Sequence, residues 1–251
     1  MKIASTAVAV YLLFGVVSAI LGGEVVPSGT KTYLAGLRKF PNSTTYCAGA
    51  LISPTHVLTS AICNQGTINY VTVGAHKVNG TDSGEVIKVK SIDIHPNYNP
   101  KAAVVTWAWD YAIVTLEKPS KFSPVKLARN KSEIQKGMSL TVMGWGVVNC
   151  KDTHYPIEPR RVELEAWSNR NCSETYGLFS RSQMCAGGIV NQGTSPGDLG
   201  APYIKENSEG DADDVLVGTN IGTSECGSDL PMVLSRVTIG LPWINSIVSG
   251  Q

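Results

Sequence analysis

The chain has 251 residues, 43% of them apolar, with 21 Lys and Arg against 20 Asp and Glu. A near-neutral chain without a basic run excludes the electrostatic footprint of a nucleic-acid or anionic-membrane binder. Its apolar content suits a packed core in one or two globular units and excludes disorder and fibrous repeats.

At the amino end, Lys2 precedes an apolar run over residues 7–17, and Val17-Ser18-Ala19 offers a cleavage point after Ala19. The alternative reading is a buried first helix. The run falls short of the about 20 residues that cross a bilayer, and no later apolar stretch reaches that length. Residues 1–19 are therefore expected to be a signal peptide and 20–251 a secreted, extracellular chain. Without Lys2 that chain carries 20 basic and 20 acidic residues.

Short β-type runs are predicted over residues 46–52, 70–74, 86–94, 111–116, 140–145, 162–167, 215–221 and 233–237. Stretches rich in Gly, Pro, Asn and Ser separate them, notably 79–84, 97–100, 191–197 and 207–210. Strands at this spacing predict an all-β barrel or sandwich. Near the end, Leu241, Ile244 and Val248 recur at helical spacing after Gly240, with Pro242 in the first turn. They predict one short amphipathic terminal helix.

Six cysteines, Cys47, Cys63, Cys150, Cys172, Cys185 and Cys226, agree with an oxidising destination, and their number alone selects no pairing. There is no CxxC pair or clustered histidine, so no metal and no cofactor is expected. Asn42, Asn79 and Asn130 open N-glycosylation triplets; Asn171 opens a weaker one, whose middle residue is Cys172. Glu209, Asp211, Asp213 and Asp214 form an acidic loop, readable as a calcium site but better as a solvated hairpin tip. Trp107 and Trp109 flank Ala108 on a loop entering a strand. They read as core or, preferably, as an exposed aromatic patch that a partner could bury.

Several motifs, in order, resemble the landmarks of the trypsin/chymotrypsin family. They are Ile20-Leu21-Gly22-Gly23, Ser53-Pro54-Thr55-His56-Val57-Leu58-Thr59, Asp110-Tyr111-Ala112-Ile113-Val114-Thr115-Leu116 and Gly144-Trp145-Gly146. Met184-Cys185-Ala186-Gly187, Arg236-Val237-Thr238 and Trp243-Ile244 complete the series. The resemblance implies an all-β fold of two packed antiparallel β-barrels with a short C-terminal helix. The N-terminal barrel would span about 20–125 and the C-terminal barrel about 126–251, with a cleft between them.

Two of the family's motifs are altered at their reactive residue. Gly197-Asp198-Leu199-Gly200-Ala201-Pro202 stands where the family reads GDSGGP, and Leu58-Thr59-Ser60-Ala61-Ile62-Cys63 where it reads LTAAHC. Leu199 has no nucleophile, Ile62 cannot take a proton, and Asp110 has no imidazole to orient. Ile62, Asp110 and Leu199 thus mark degenerate triad positions, and no catalytic residue is expected. The Gly197 and Leu199 amides would offer oxyanion stabilisation alone. The alternative is a relocated triad using Thr194, Ser195 or one of His56, His76, His95 and His154. The first two lie on the incoming loop, His56 reads as packed in the barrel, and the others as loop residues.

The resemblance carries further expectations. Ile221 matches the serine that would hold Asp110, so that carboxylate should keep only backbone donors and be partly protonated or hydrated. Alternatively, those amide contacts keep it as a support for its strand. Gly193 replaces a pocket-floor aspartate, and Ile221-Gly222-Thr223 replaces the SWG wall, so peptide recognition should be lost. Ile20, freed by leader cleavage, would pair with Asp198 without a zymogen step. Cys47 would pair with Cys63 and Cys172 with Cys185. Cys150 and Cys226 would form a replacement bridge, free thiols being the alternative.

Finally, residues 27–33, 51–59 and 118–127 resemble oomycete secreted trypsin-like proteins, the glucanase inhibitor proteins. That resemblance implies an apoplastic effector that binds plant host endo-β-glucanases and blocks release of defence-eliciting glucan fragments. The competing readings are an adaptor or decoy for another extracellular protein, and an active hydrolase with displaced residues.

Overall fold

The computed structural model describes residues 20–102, 107–130, 134–177, 180–207, 210–222 and 225–250. The expected signal peptide, Glu209 and Thr223 lie outside the described residues. Described strands and helices are, in chain order, β1 (Glu24–Val25), β2 (Leu34–Arg38), β3 (Cys47–Ser53), β4 (His56–Thr59), β5 (Tyr70–Val73), β6 (Glu85–Ile94), β7 (Ala112–Leu116) and β8 (Lys126–Leu127). There follow β9 (Ser139–Gly144), β10 (Arg160–Glu165), α1 (Asn169–Tyr176), β11 (Gln183–Gly187), β12 (Pro202–Lys205), β13 (Val215–Gly222), β14 (Pro231–Arg236) and α2 (Val237–Val248).

Strands β2 to β7 close into an antiparallel barrel in the order β2-β3-β4-β7-β6-β5. Its interior is filled by Leu37, Leu51, Val57, Val71, Ile87 and Val114, all buried and on one face of the paired strands. The remaining strands form an eight-stranded sheet, ordered β1-β10-β9-β12-β13-β14-β11, with β8 parallel to β13. This second sheet closes more weakly than a barrel ladder. Just past β10 the chain meets β11 at one bridge, Ala166 to Ala186, backed by the Trp167 amide donating to Cys185 O at 2.9 Å. The pairing stops there because Ser168 turns the chain into α1. Its hydroxyl accepts the Asn171 amide at 3.1 Å as an N-cap. β1 falls inside the range expected for the first barrel but pairs with β10 of the second sheet.

α2 begins at Val237, earlier than predicted, so Pro242 lies inside the helix instead of in its first turn. The ring removes one hydrogen bond of the helix ladder. Val237 and Ile244 are buried in the core that joins the helix to the barrel, and that packing fixes the helix.

Among the described residues, the acidic loop is held by basic side chains instead of standing as a solvated tip. Lys31 Nζ lies 2.7 Å from Asp214, 2.6 Å from Glu206 and 3.1 Å from Asp211, and the Tyr33 hydroxyl donates to Asp214 at 2.7 Å. Asp213 pairs with Lys126. Asp211 and Asp214 of the loop, with Glu206 before it, thus gather on a buried lysine of the N-terminal segment. The two tryptophans also correct the patch reading, since they pack into separate clusters. Trp109 is half-buried and stacks on His95 at 4.8 Å, with the Arg181 guanidinium 5.5 Å from its ring. Trp107 packs against the cluster of Cys172, Cys185, Ile221 and Val233. His95 is itself buried among Trp109, Tyr111 and Trp243, so it is more than a loop residue.

The cysteines form three disulfides: Cys47–Cys63, Cys150–Cys226 and Cys172–Cys185. The first lies in the barrel, and the other two staple the second sheet and its loops.

Candidate functional site

The site lies where the end of β4, the start of β7 and the 197–202 loop meet. β4 runs out at Thr59, and the short 3-10 helix Ala61–Gln65 follows. Its first turn aims the Ile62 amide at Asp110 Oδ1 at 3.0 Å. The Ser60 hydroxyl donates to Asp110 Oδ2. Asp110 therefore has a side-chain donor, which corrects the expectation of backbone donors alone. Ser60 stands where the family's motif has alanine, and that departure was the available signal. Burial pushes the Asp110 carboxyl up to about 7, against the lowering effect of Ser60 and the Ile62 and Ala61 amides.

Ile221 faces elsewhere. A β-bulge between Asn220 and Gly222 interrupts its register with β14, and its side chain is buried with Cys172, Cys185 and Val233. The 197–202 loop is locked against the barrel by the Ala48 amide donating to Leu199 O at 2.8 Å. Gly200, at φ 75°, makes this approach possible: a Cβ there would sit 2.2 Å from Ala48 O and Thr59 Oγ1. Ile62 and Leu199 thus flank Asp110's corner of the cleft as aliphatic groups, and Leu199 packs against the barrel core.

The cleft is lined by Tyr46, Tyr155, Thr194, Leu199, Asn220 and Gly222, among others. At Gly193, where a pocket floor was expected, the Met232 side chain takes up the space, 2.9 Å from where a Cβ would stand. The Tyr155 ring comes nearer still, 2.5 Å, to where a Cβ on Gly197 would stand. Asn220 is turned inward, its Nδ2 donating to Asp198 O at 2.9 Å.

The groups considered for a relocated triad are engaged elsewhere. Thr194 Oγ1 reaches Asn220 Oδ1 and Met232 Sδ, both at 3.3 Å, and Ser195 Oγ donates to Val147 O at 2.8 Å. His56 Nδ1 is 2.6 Å from Ser53 Oγ, His76 pairs with Glu158, His95 Nδ1 accepts the Asn97 amide, and His154 contacts Thr153. None of the four contacts Asp110.

Asp198 is fully buried beside the cleft. Its carboxylate accepts the Gly146 amide at 2.8 Å and the Ser195 amide at 3.0 Å, with Ser195 Oγ at 3.2 Å. A Cβ on Gly146 would stand 2.0 Å from Asp198 Oδ2, so the glycine is required by this close approach. Burial pushes the Asp198 carboxyl up to about 6. Ile20 is buried as well, in the core of the second sheet. Asn42, Asn79 and Asn130 are exposed, whereas Asn171 is half-buried at the start of α1 with its amide and Oδ1 bound to Ser168.

Comparison with known proteins agrees with this geometry. The family described as Trypsin matches residues 20–244. The chain is 43% identical to Glucanase inhibitor protein 3 of Phytophthora infestans, over 100% of both chains. It is 46% identical to Glucanase inhibitor protein 1 of Phytophthora sojae, over 92% of this chain and 89% of that one. Among solved structures, neuropsin, a serine protease expressed in the limbic system of mouse brain, superimposes with a TM-score of 0.79. That match covers 91% of this chain and 100% of neuropsin at 24% identity, a likeness of fold. With the barrel, the second sheet, the terminal helix and these matches in hand, the chain belongs to the trypsin family.

Proposed function

We propose that this protein is a secreted, catalytically inactive member of the trypsin family that binds and inhibits plant endo-β-glucanases in the host apoplast, limiting release of elicitor glucans. The observation that carries the reading is similarity along the whole chain to proteins named glucanase inhibitors. The site supports it from the chemical side. Ile62 and Leu199 offer neither base nor nucleophile beside Asp110, and the nearby hydroxyls of Thr194 and Ser195 are held by other partners. Three disulfides suit an oxidising, extracellular setting.

The Ile20 amino group, freed by cleavage after Ala19, is proposed to join the donors on Asp198. This gives the kept carboxylate a structural role. Asn42, Asn79 and Asn130 are the proposed glycan acceptors, being exposed; Asn171, held by Ser168, is the weakest of the four.

Two experiments test the reading. A fluorophosphonate probe is expected to leave the purified chain unlabelled, and covalent labelling at a hydroxyl would restore the hydrolase alternative. Incubation with plant apoplastic fluid is expected to recover an endo-β-glucanase and to lower glucan hydrolysis. Recovery of other proteins without any glucanase would favour an adaptor or decoy.

A further inference from the structure

A concave pocket away from the cleft lies against the start of α1, lined by Lys136, Trp167, Ser168, Asn169, Arg181 and Arg236 among others. Three of its residues are cations, and no described lining residue carries a carboxylate. Arg236 is only 7% exposed. Its guanidinium donates to Gln183 O at 3.2 and 3.3 Å and to Asn169 Oδ1 at 2.5 Å. All these acceptors are neutral, so among the described residues the charge is buried without a counter-ion, a costly arrangement. Desolvation accordingly lowers the Arg236 pKa.

The other groups around the pocket add to its positive field. Ser168 caps α1, so the helix directs the positive end of its dipole to this wall. Arg181 is held near the rim by the Trp109 ring. Trp167 is half-buried and its indole N–H is tied to Gly187 O at 2.7 Å, which fixes the ring.

From this arrangement we infer that the pocket binds an acidic saccharide. Arg181, Lys136 and Arg236 receive a sugar carboxylate, and the apolar C–H face of the pyranose lies on Trp167. A guanidinium matches a carboxylate in shape and charge, and a fixed indole beside it selects a ring-borne carboxylate over a free anion. The site is separate from the cleft, and its assignment does not rest on the proposed glucanase target.

Calorimetry of the mature chain with a short oligogalacturonate tests this, alongside inorganic phosphate and a neutral β-glucan oligosaccharide of similar length. The uronate is expected to bind, more weakly as salt rises. Arg181→Gln and Lys136→Gln should each weaken it roughly tenfold, as expected for loss of one charged hydrogen bond. These rim residues are preferred to Arg236, which also anchors Gln183 and Asn169; an unchanged melting temperature confirms that each variant is folded. Absence of uronate binding at millimolar concentration overturns the assignment. So does phosphate or neutral glucan binding as tightly as the uronate, or indifference to both substitutions.

Discussion

The closed barrel and the eight-stranded sheet each hold a buried carboxylate beside the cleft, by different means. In the barrel, Asp110 takes its donors from the end of β4 and the turn after it, elements fixed by continuous ladders. In the sheet, Asp198 takes its donors from Gly146 and Ser195, on loops of a structure closed by one bridge just past β10. There the Cys150–Cys226 and Cys172–Cys185 disulfides hold what the ladder does not. The contrast teaches that a rigid barrel can hold a buried carboxylate beside an isoleucine, Ile62, through one hydroxyl, Ser60. The looser half keeps its cleft wall by cross-linking.

The largest effect should come from the cross-link. Cys150 and Cys226 are 76 residues apart, against 16 for Cys47 and Cys63. By chain entropy the longer loop is worth about 4.5 kcal/mol and the shorter about 3 kcal/mol. Replacing Cys150 and Cys226 together by serine should therefore lower the urea-unfolding free energy more than replacing Cys47 and Cys63. The reverse order would break the comparison.

Next comes pH. Asp110 is raised to about 7. Its folded-state value exceeds the unfolded one, near 3.9, so the folded protein binds protons more tightly. The stabilisation is fully present below the unfolded value and is lost as pH rises through the folded one. For Asp110 the loss between pH 4 and 8 is up to about 4 kcal/mol. Asp110→Asn should match the wild type at pH 4 and exceed it at pH 8 in chemical denaturation; a constant difference would contradict the assignment.

A smaller effect sharpens the same point. Ser60→Ala removes the hydroxyl from the Asp110 carboxylate and should cost about 1–3 kcal/mol at pH 8. The cost should shrink at pH 5, where Asp110 is protonated, and the Asp110 titration should move higher still. The smallest change concerns chemistry. Ile62→His with Leu199→Ser is expected to yield at most trace hydrolysis of chromogenic peptides, because Met232 still fills the space at Gly193 and Tyr155 still lies over Gly197. Robust turnover would show that the cleft wall was never lost.

The sequence made some of this legible for identifiable reasons. Strands such as β5 and β13 are β-branched runs bounded by turn residues, and Ile62, Asp110 and Leu199 sit in frames otherwise kept. β2 and β11 carry no alternation because each is buried throughout, with a glycine inside β2 and another ending β11. β4, four residues long, gave too little pattern. The partner of the acidic loop, Lys31, is 183 residues from Asp214 and carries no local signal. Ser60 is visible as a departure from the family's motif, whereas the bulge that turns Ile221 away from Asp110 cannot be read from residue types.

The central proposal, inhibition without chemistry, is tested most directly by titrating a plant endo-β-glucanase with the purified mature chain and following hydrolysis of soluble β-glucan. Hydrolysis is expected to fall in proportion to added protein and to saturate, equally for wild type and for Leu199→Ala. Hydrolysis unchanged at a large excess of folded protein would contradict it.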